Sequence, residues 1–377
     1  MKIVNLKTYV MHANWRNYIF LEAVTDDNGI VGYGEATLAN NQYGVLGAIQ
    51  DLRKYVIGRD PLDVEKIWRD THRGPFWRGG AIFTTAISAI DQALWDILGK
   101  VSKLPLYKII GGKYRDSVRL YANGWFSGIG TPTQYASAAK RMVKQGFTAL
   151  KFDPFGTSDM IIEPSMEENA YNIVKEVRSQ IGTKVDIIIE AHGRFTPRIA
   201  IRLGKKLERF DPLWFEEPVP PEDLAGLERV ADSVNIPIAT GERLFTRFDY
   251  WNLLSSDIGV DIIQPDVCHV GGISELRKIA AIAEIKNILV APHNSNGPVS
   301  TAASTHLLTA IPNGLILEYW VDIPWRSKLI KGGERISRGF ITPLDRPGLG
   351  IQLDYGEIKK HPSKETHIDF FTQYRYH

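Results

Sequence analysis

Residues 185–218 read VDIIIEAHGRFTPRIAIRLGKKLERFDPLWFEEP. A short apolar run closes on Glu190, a helical pattern follows (RIAIRLGKKLERF, 198–210), and a second apolar run closes on Glu216. Run, helix and run make a βαβ unit, whose strands lie parallel and are buried on both faces. The texture continues in both directions. VRLYAN (118–123), TALKFD (148–153), PIATGE (237–242), DIIQPD (261–266), ILVAPH (288–293) and LILEYW (315–320) are six more such runs. Helix-like stretches such as QYASAAKRMVKQG, ENAYNIVKEVRSQIG and ISELRKIAAIAEIKN separate them. Eight short buried strands alternating with helices predict a parallel sheet, and eight units favour a closed barrel.

The barrel is expected to occupy residues 116–322. Residues 1–115 read as a small α+β unit: alternating strands at 2–11 and 17–25, a turn at Asp27-Asn28-Gly29, and helices around 43–56 and 80–99. The last segment, 323–377, carries Pro and Gly clusters such as PLDRPGLG and is expected to return to that first unit. The balance of 45 Lys+Arg against 43 Asp+Glu leaves a net charge of +2, which argues against a nucleic-acid partner held by net charge. With 44% hydrophobic and 23% charged residues the 377-residue chain has globular composition. Its one cysteine, Cys268, reads as packing and points to a reducing compartment. No signal-length apolar run opens the chain and no stretch approaches a membrane span, so a cytoplasmic protein with no membrane partner is expected.

Chemistry gathers at the ends of the runs. Lys151, Glu190, Glu216, Glu242, Asp266, His293 and Glu318 each close one, mostly about 25 residues apart, which suits a βα repeat. The carboxyl ends of barrel strands converge on one mouth, so these seven are expected to share a pocket. Glu190, Glu216 and Glu242 would repel one another there and demand a cation. Three hard oxygen ligands select Mg2+, with Mn2+ as substitute, over Zn2+. Separately, each glutamate would read as a strand cap or a partner for a lysine. Asp266 lies one strand from His293 and is placed to orient the imidazole, making His293 a general base.

With these residues in hand, the chain resembles the enolase superfamily in its mandelate racemase group. The resemblance implies an N-terminal α+β capping domain on a modified (β/α)7β TIM-like barrel. It places metal ligands at Glu190, at the first glutamate of Phe215-Glu216-Glu217-Pro218, and at Glu242 of Thr240-Gly241-Glu242. The Asp–His dyad falls on Asp266 and His293, and Glu318 matches the acid that hydrogen-bonds a substrate carboxylate oxygen. The implied shared step is removal of a proton α to a carboxylate, giving an enediolate.

Two local features bear on the fate of that enediolate. Racemizing relatives show Lys-x-Lys on the second strand, where this chain has Lys151-Phe152-Asp153. One base of a two-base racemase is therefore missing, and Lys151 is left as a contact for the substrate carboxylate. Glu190-Ala191-His192-Gly193-Arg194 resembles the galactonate and gluconate dehydratases, in which that histidine delivers a proton to the departing 3-hydroxyl. Period-two alternation puts His192 on the side of Glu190; read alone it is an exposed loop histidine. The first ligand of that group is usually aspartate, one methylene shorter than Glu190. The expected activity is thus a Mg2+-dependent sugar-acid (aldonate) dehydratase giving a 2-keto-3-deoxy acid. A racemase, epimerase or cycloisomerase of the same superfamily is the alternative. Asp153 and Arg194 are expected to touch substrate, as are Trp15 and Trp77-Arg78 from two capping loops, which otherwise read as packing. Homo-oligomerisation is also expected.

Overall fold

Three antiparallel strands, β1 (Ile3–Ala13), β2 (Arg16–Thr25) and β3 (Val31–Glu35), open the computed structural model, which describes residues 1–27 and 29–366. Asn28 of the expected turn and residues 367–377 lie outside the described residues. Helices α1 (Gln42–Val56), α2 (Val64–Arg73), α3 (Ala81–Ser102) and the single turn α4 (Leu106–Ile109) complete the cap. The α3 helix packs against β3 because two glycines let the backbones approach. A Cβ on Gly34 would stand 1.9 Å from the Ala89 carbonyl oxygen, and one on Gly32 would stand 2.0 Å from that of Ala93. By length and composition alone Ala81–Val101 could cross a bilayer, but 78% of its most apolar 18 residues are buried within the molecule, and it serves as core.

The eight apolar runs are eight strands: β4 (Val118–Asn123), β5 (Ala149–Phe152), β6 (Asp186–Glu190), β7 (Trp214–Glu216), β8 (Ile238–Thr240), β9 (Ile262–Ile263), β10 (Leu289–Val290) and β11 (Leu317–Trp320). Neighbours from β4 to β10 pair in sequence order and in parallel, and β11 returns to pair with β4. Hydrogen bonds of 2.9 Å from Val290 to the Asn313 carbonyl and 2.8 Å from Leu315 to the Val290 carbonyl close the remaining gap. Seven helices alternate with them: α5 (Pro132–Lys144), α6 (Pro164–Ile181), α7 (Pro197–Leu207), α8 (Leu224–Ala231), α9 (Thr246–Leu254), α10 (Gly272–Ile285) and α11 (Pro298–Ala310). This is the expected (β/α)7β order.

Tyr121, Ala149, Ile188, Trp214, Ala239, Ile262, Ala291 and Ile316 form a separate apolar cluster, one residue from each strand or its border. They are the plug of the barrel. Side chains two residues further along point to the same interior, one layer nearer the mouth. That layer holds Asn123, Lys151, Glu190, Glu216, Gly241, Gln264, His293 and Glu318, every one polar except Gly241.

One expectation needs correction. The seven polar residues do not all end a strand: β8, β9 and β10 stop at Thr240, Ile263 and Val290, so Glu242, Asp266 and His293 sit in the loops just beyond. The segment from 323 meets the cap after a detour along the barrel. Its strands β12 (Ile336–Ser337) and β13 (Phe340–Ile341) form a hairpin, and β13 pairs antiparallel with β4 of the barrel. Asp345, Gly348 and Leu349 then bond to Tyr107, Leu106 and Asp96 of the cap helices, and the part with α12 (Tyr355–Lys360) meets the capping sheet through a Met11–Pro362 bridge and a Tyr355–Glu22 hydrogen bond.

Candidate active site

Glu190, Glu216 and Glu242 each offer an oxygen within 4.8 Å of the others. Glu190 and Glu216 end paired strands in register, while Gly241, at φ +126°, turns the chain so that Glu242 rejoins them from beyond β8. Burial and mutual repulsion push Glu190 up to about 7 and Glu216 well above the ordinary carboxylate range. Burial acts the same way on Glu242, but His293 and Lys151 draw it down to about 2. The Lys151 ammonium lies among these acids, 3.2 Å from Glu190, 2.6 Å from Glu216 and 3.2 Å from Glu318. Lys151 touches Glu190, Glu216 and Glu318, which are buried, and leaves the half-buried Glu242 without an ammonium contact. The hard-oxygen triad fits a bound divalent cation of the Mg2+ class.

On one side of the triad stands an Asp–His pair. His293 Nδ1 lies 2.7 Å from Asp266 Oδ2, which leaves Nε2 facing the mouth, 3.7 Å from both Glu242 and Glu318 and 3.1 Å from Ser295 Oγ. Asp266 is held as a carboxylate, burial notwithstanding, by His269, by His293 and by the Cys268 N–H at 2.7 Å. Asn296 donates to its Oδ2 at 2.8 Å. Burial lowers His293, but Glu242, Glu318 and Asp266 outweigh it and raise the imidazole to about 10. A base must be neutral to accept a proton, so matching the charge of Glu242 with a cation is what would free His293 for that role.

A second pair lies across the mouth. His192 Nδ1 is 2.8 Å from Asp153 Oδ2, and β6 and β10 are four strands apart in an eight-stranded barrel. The pleat does not bring His192 there: β6 ends at Glu190, and His192 adopts a left-handed conformation at φ +51°, its N–H donating to Glu190 Oε1 at 2.6 Å. The expected substrate contacts of Asp153 and Arg194 are corrected here, because both are taken. Asp153 accepts from Phe155 N at 2.9 Å, from His192 and from Arg194. Arg194 is 5% exposed and donates to the carbonyls of Ala191 at 2.9 Å and Gly156 at 2.8 Å. Together they hold the imidazole of His192.

Glu318 is surrounded by donors, Asn123 Nδ2 at 2.5 Å, Asn294 N at 2.6 Å and Lys151. These with His293 hold it below the ordinary range although burial opposes them. Both its oxygens accept, so in this form it anchors Lys151 and the loop after β10 and has no proton to offer.

The capping loops divide. Trp15 packs on Trp320 with ring centroids 5.5 Å apart, over the outer end of β11. Phe76 and Trp77 are 87% and 86% exposed, on a loop whose Gly79 and Gly80 both take positive φ. Arg78, also exposed, bears electrostatically on His72 of α2. Trp77 and Arg78 thus stand open to solvent on this loop. Asn123, Gln264 and His269 were not singled out from the sequence. Gln264 and Asn123 are found by adding two to the plug positions, whereas His269, whose Nδ1 meets Thr85 Oγ1 at 3.0 Å and Nε2 Asp266 at 3.4 Å, carries no such signal.

Residues 5–111 match the family described as mandelate racemase / muconate lactonizing enzyme, N-terminal domain, and residues 134–358 match that described as enolase C-terminal domain-like. A D-gluconate/D-galactonate dehydratase of Picrophilus torridus is 37% identical over 349 residues, covering 92% of this chain and 89% of its own. A D-galactonate dehydratase of Verminephrobacter eiseniae is 35% identical over 365 residues, covering 94% and 92%. Among solved structures, a mandelate racemase/muconate lactonizing enzyme from Sulfitobacter sp. superposes with a TM-score of 0.91 at 35% identity, covering 97% of each chain. A member of the enolase superfamily from Salmonella Typhimurium gives 0.90 at 34% identity, covering 96% of this chain and 98% of its own.

Proposed function

The chain belongs to the enolase superfamily, in the mandelate racemase / muconate lactonizing enzyme family, and from that premise we propose that it is a Mg2+-dependent sugar-acid dehydratase. It takes a 2,3-dihydroxy carboxylate of the aldonate type and releases water and a 2-keto-3-deoxy acid. The observation that carries this reading is the pair of Asp–His dyads facing each other across the glutamate triad. Elimination of water needs a base for the C2 proton and an acid for the C3 hydroxyl, and the two dyads supply one candidate for each.

Mg2+, held by Glu190, Glu216 and Glu242, would supply the Lewis acid that makes the C2 proton removable. Lys151 is placed to share the charge of the substrate carboxylate. His293 Nε2 takes the C2 proton while Asp266 keeps Nδ1 protonated and the ring in position. The electron pair left on C2 is delocalised into the carboxylate as an enediolate. His192, oriented by Asp153 through Nδ1, gives a proton from Nε2 to the C3 oxygen as its bond to C3 breaks, so the hydroxyl leaves as water. The resulting enol tautomerises to the 2-keto acid, and the balance is loss of one water.

Two opposed histidines would also serve proton exchange at C2 without elimination, which keeps an epimerase as the second reading. The relatives named D-galactonate and D-gluconate dehydratase favour elimination. The test is incubation with Mg2+ and a library of five- and six-carbon sugar acids in deuterated water. Formation of a 2-keto-3-deoxy acid is the expected result. Deuterium entering C2 of recovered acid with no keto product would overturn the dehydratase in favour of the epimerase.

A further inference from the structure

The first residue of β2, Arg16, sets a cation beside the loop that carries Asn296. Arg16 is 7% exposed, yet it is poorly satisfied: Nη1 makes one long hydrogen bond of 3.4 Å to Asn296 Oδ1, and Nε, enclosed by protein, has no partner. A buried guanidinium retained for packing normally fills its donors, as Arg194 does. The face of Arg16 lies 3.5 Å from the ring centroid of Trp15, which packs in turn on Trp320. Trp320 is two residues beyond Glu318 on β11, on the same face and one layer further out. The acids that bear on Arg16 through space are Glu318, Asp266 and Glu242, on the side of the mouth that holds His293. Burial lowers the guanidinium only to about 10, so it is a cation at neutral pH.

Substrate orientation follows from the layers. The carboxylate of a sugar acid belongs with Lys151 and the triad on the barrel floor, and C2 belongs at His293 Nε2. The remaining carbons then extend outward, toward the cap. Building on the proposed activity, we propose that Arg16 is a substrate-binding residue of the capping domain that donates charge-assisted hydrogen bonds to oxygens at the end of the sugar acid remote from its reacting carboxylate. The donor is suited to hydroxyls and, through its planar fork, to a second carboxylate.

The test is a chain-length series with the Mg2+-loaded protein: glycerate, a four-carbon aldonate, D-gluconate, D-galactonate and the dicarboxylate D-glucarate. Arg16→Gln should lower kcat/KM for the six-carbon acids by about 10- to 100-fold, the range of a lost charged hydrogen bond. The loss should shrink with chain length and be smallest for glycerate, which has no remote oxygens. Arg16→Lys, which keeps the charge and loses the fork, should fall between, and a larger loss on glucarate than on gluconate would identify a carboxylate as the group held. Equal loss at every length would overturn the proposal, since Arg16 would then act through Asn296 on the Asp266–His293 pair. If wild type turns over none of these acids, the dehydratase reading fails, and calorimetric binding of the same acids decides Arg16 separately. Weaker binding by Arg16→Gln, graded with length, supports its role; unchanged binding, or none by wild type, removes it.

Discussion

His192 owes its place to a backbone exception. A φ of +51° is uncommon outside glycine, although histidine, asparagine and aspartate adopt it more readily than other residues, and here the turn it makes lets one N–H cap Glu190 while the imidazole meets Asp153. Role and position can be separated by substitution. His192→Asn should lower dehydration by ~10²–10⁴-fold, the usual worth of a general acid, while exchange of the C2 proton with deuterated solvent continues, because His293 and Lys151 remain. Equal loss of both would mean that His192 holds substrate or metal instead. Asp153→Asn should give a weaker copy of the same split, about 10- to 100-fold in dehydration, as expected of a group that orients another; unchanged dehydration would remove it from the machinery. Glu216→Gln removes charge at nearly constant shape, so activity at saturating Mg2+ should fall below about 1% of wild type, with Mn2+ affinity lost in parallel. Wild-type turnover by that variant would refute the ligand set. The triad was legible because its spacing repeats the βα period. Asp153 and Arg194 were misjudged because side chains that follow a strand invite reading as substrate contacts. Whether a polar group faces the ligand or its neighbour is decided by turns that sequence periodicity does not encode.

At the scale of elements, the strands were legible because each is an apolar run between polar ends, even where the pairing covers only two residues, as in β9 and β10. The α9 helix was not singled out: in TRFDYWNLL apolar residues occur on every side, so no single face emerges. The α2 helix, VEKIWRDTHR, is short, and its buried face of Val64, Ile67, Trp68, Thr71 and His72 is completed by two polar residues, so it gives no long apolar period to read. One element junction fixes the loop that carries His293. Glu35, at the end of β3, reaches out of the cap and accepts from Gly297 N at 2.6 Å and Ser300 N at 3.0 Å, at the N-terminus of α11, with Thr37 donating at 2.7 Å. Arg326 Nη2 holds the Gly297 carbonyl at 3.0 Å from the other side. The loop from His293 to Gly297 is thereby fixed by the capping domain, through a charge placed favourably at a helix start. Glu35→Gln keeps shape and loses charge. It should cost roughly 1–3 kcal/mol in urea denaturation and lower kcat more than it raises KM, since it loosens the base and not the binding groups. A variant equal to wild type in both measurements would show that the junction is not held by this carboxylate.

The whole molecule is three pieces of chain brought to one point at His306, on α11. Its Nδ1 accepts from Tyr107 N at 3.2 Å, at the end of the cap, and its Nε2–H donates to the Leu349 carbonyl at 3.1 Å, in the C-terminal segment. The ring stacks on Tyr107 at 5.7 Å between centroids. Only the neutral imidazole can do this, because a second ring N–H would oppose the Tyr107 N–H. Burial accordingly lowers His306 to about 4. The folded pKa lies below the ordinary value of 6.5, so the unfolded chain binds the proton more readily. The stability contributed by this group is complete above pH 6.5, and is lost as pH falls toward 4. A difference of that size corresponds to about 3 kcal/mol. Other groups share the window: His72, lowered to about 4 by burial, adds in the same direction, while Asp91, raised to about 7 by burial, adds stability as pH falls from 7 toward 4. The whole-protein curve therefore mixes signs, and the informative quantity is a difference between two proteins. His306→Gln retains one acceptor and one donor and cannot titrate. Urea denaturation at about pH 7 and at about pH 4.5 should show wild type losing about 2–3 kcal/mol more than His306→Gln over that interval. Equal losses would mean that His306 accepts its proton without parting the three segments, and the acid sensitivity of the assembled fold would have to be sought among its carboxylates.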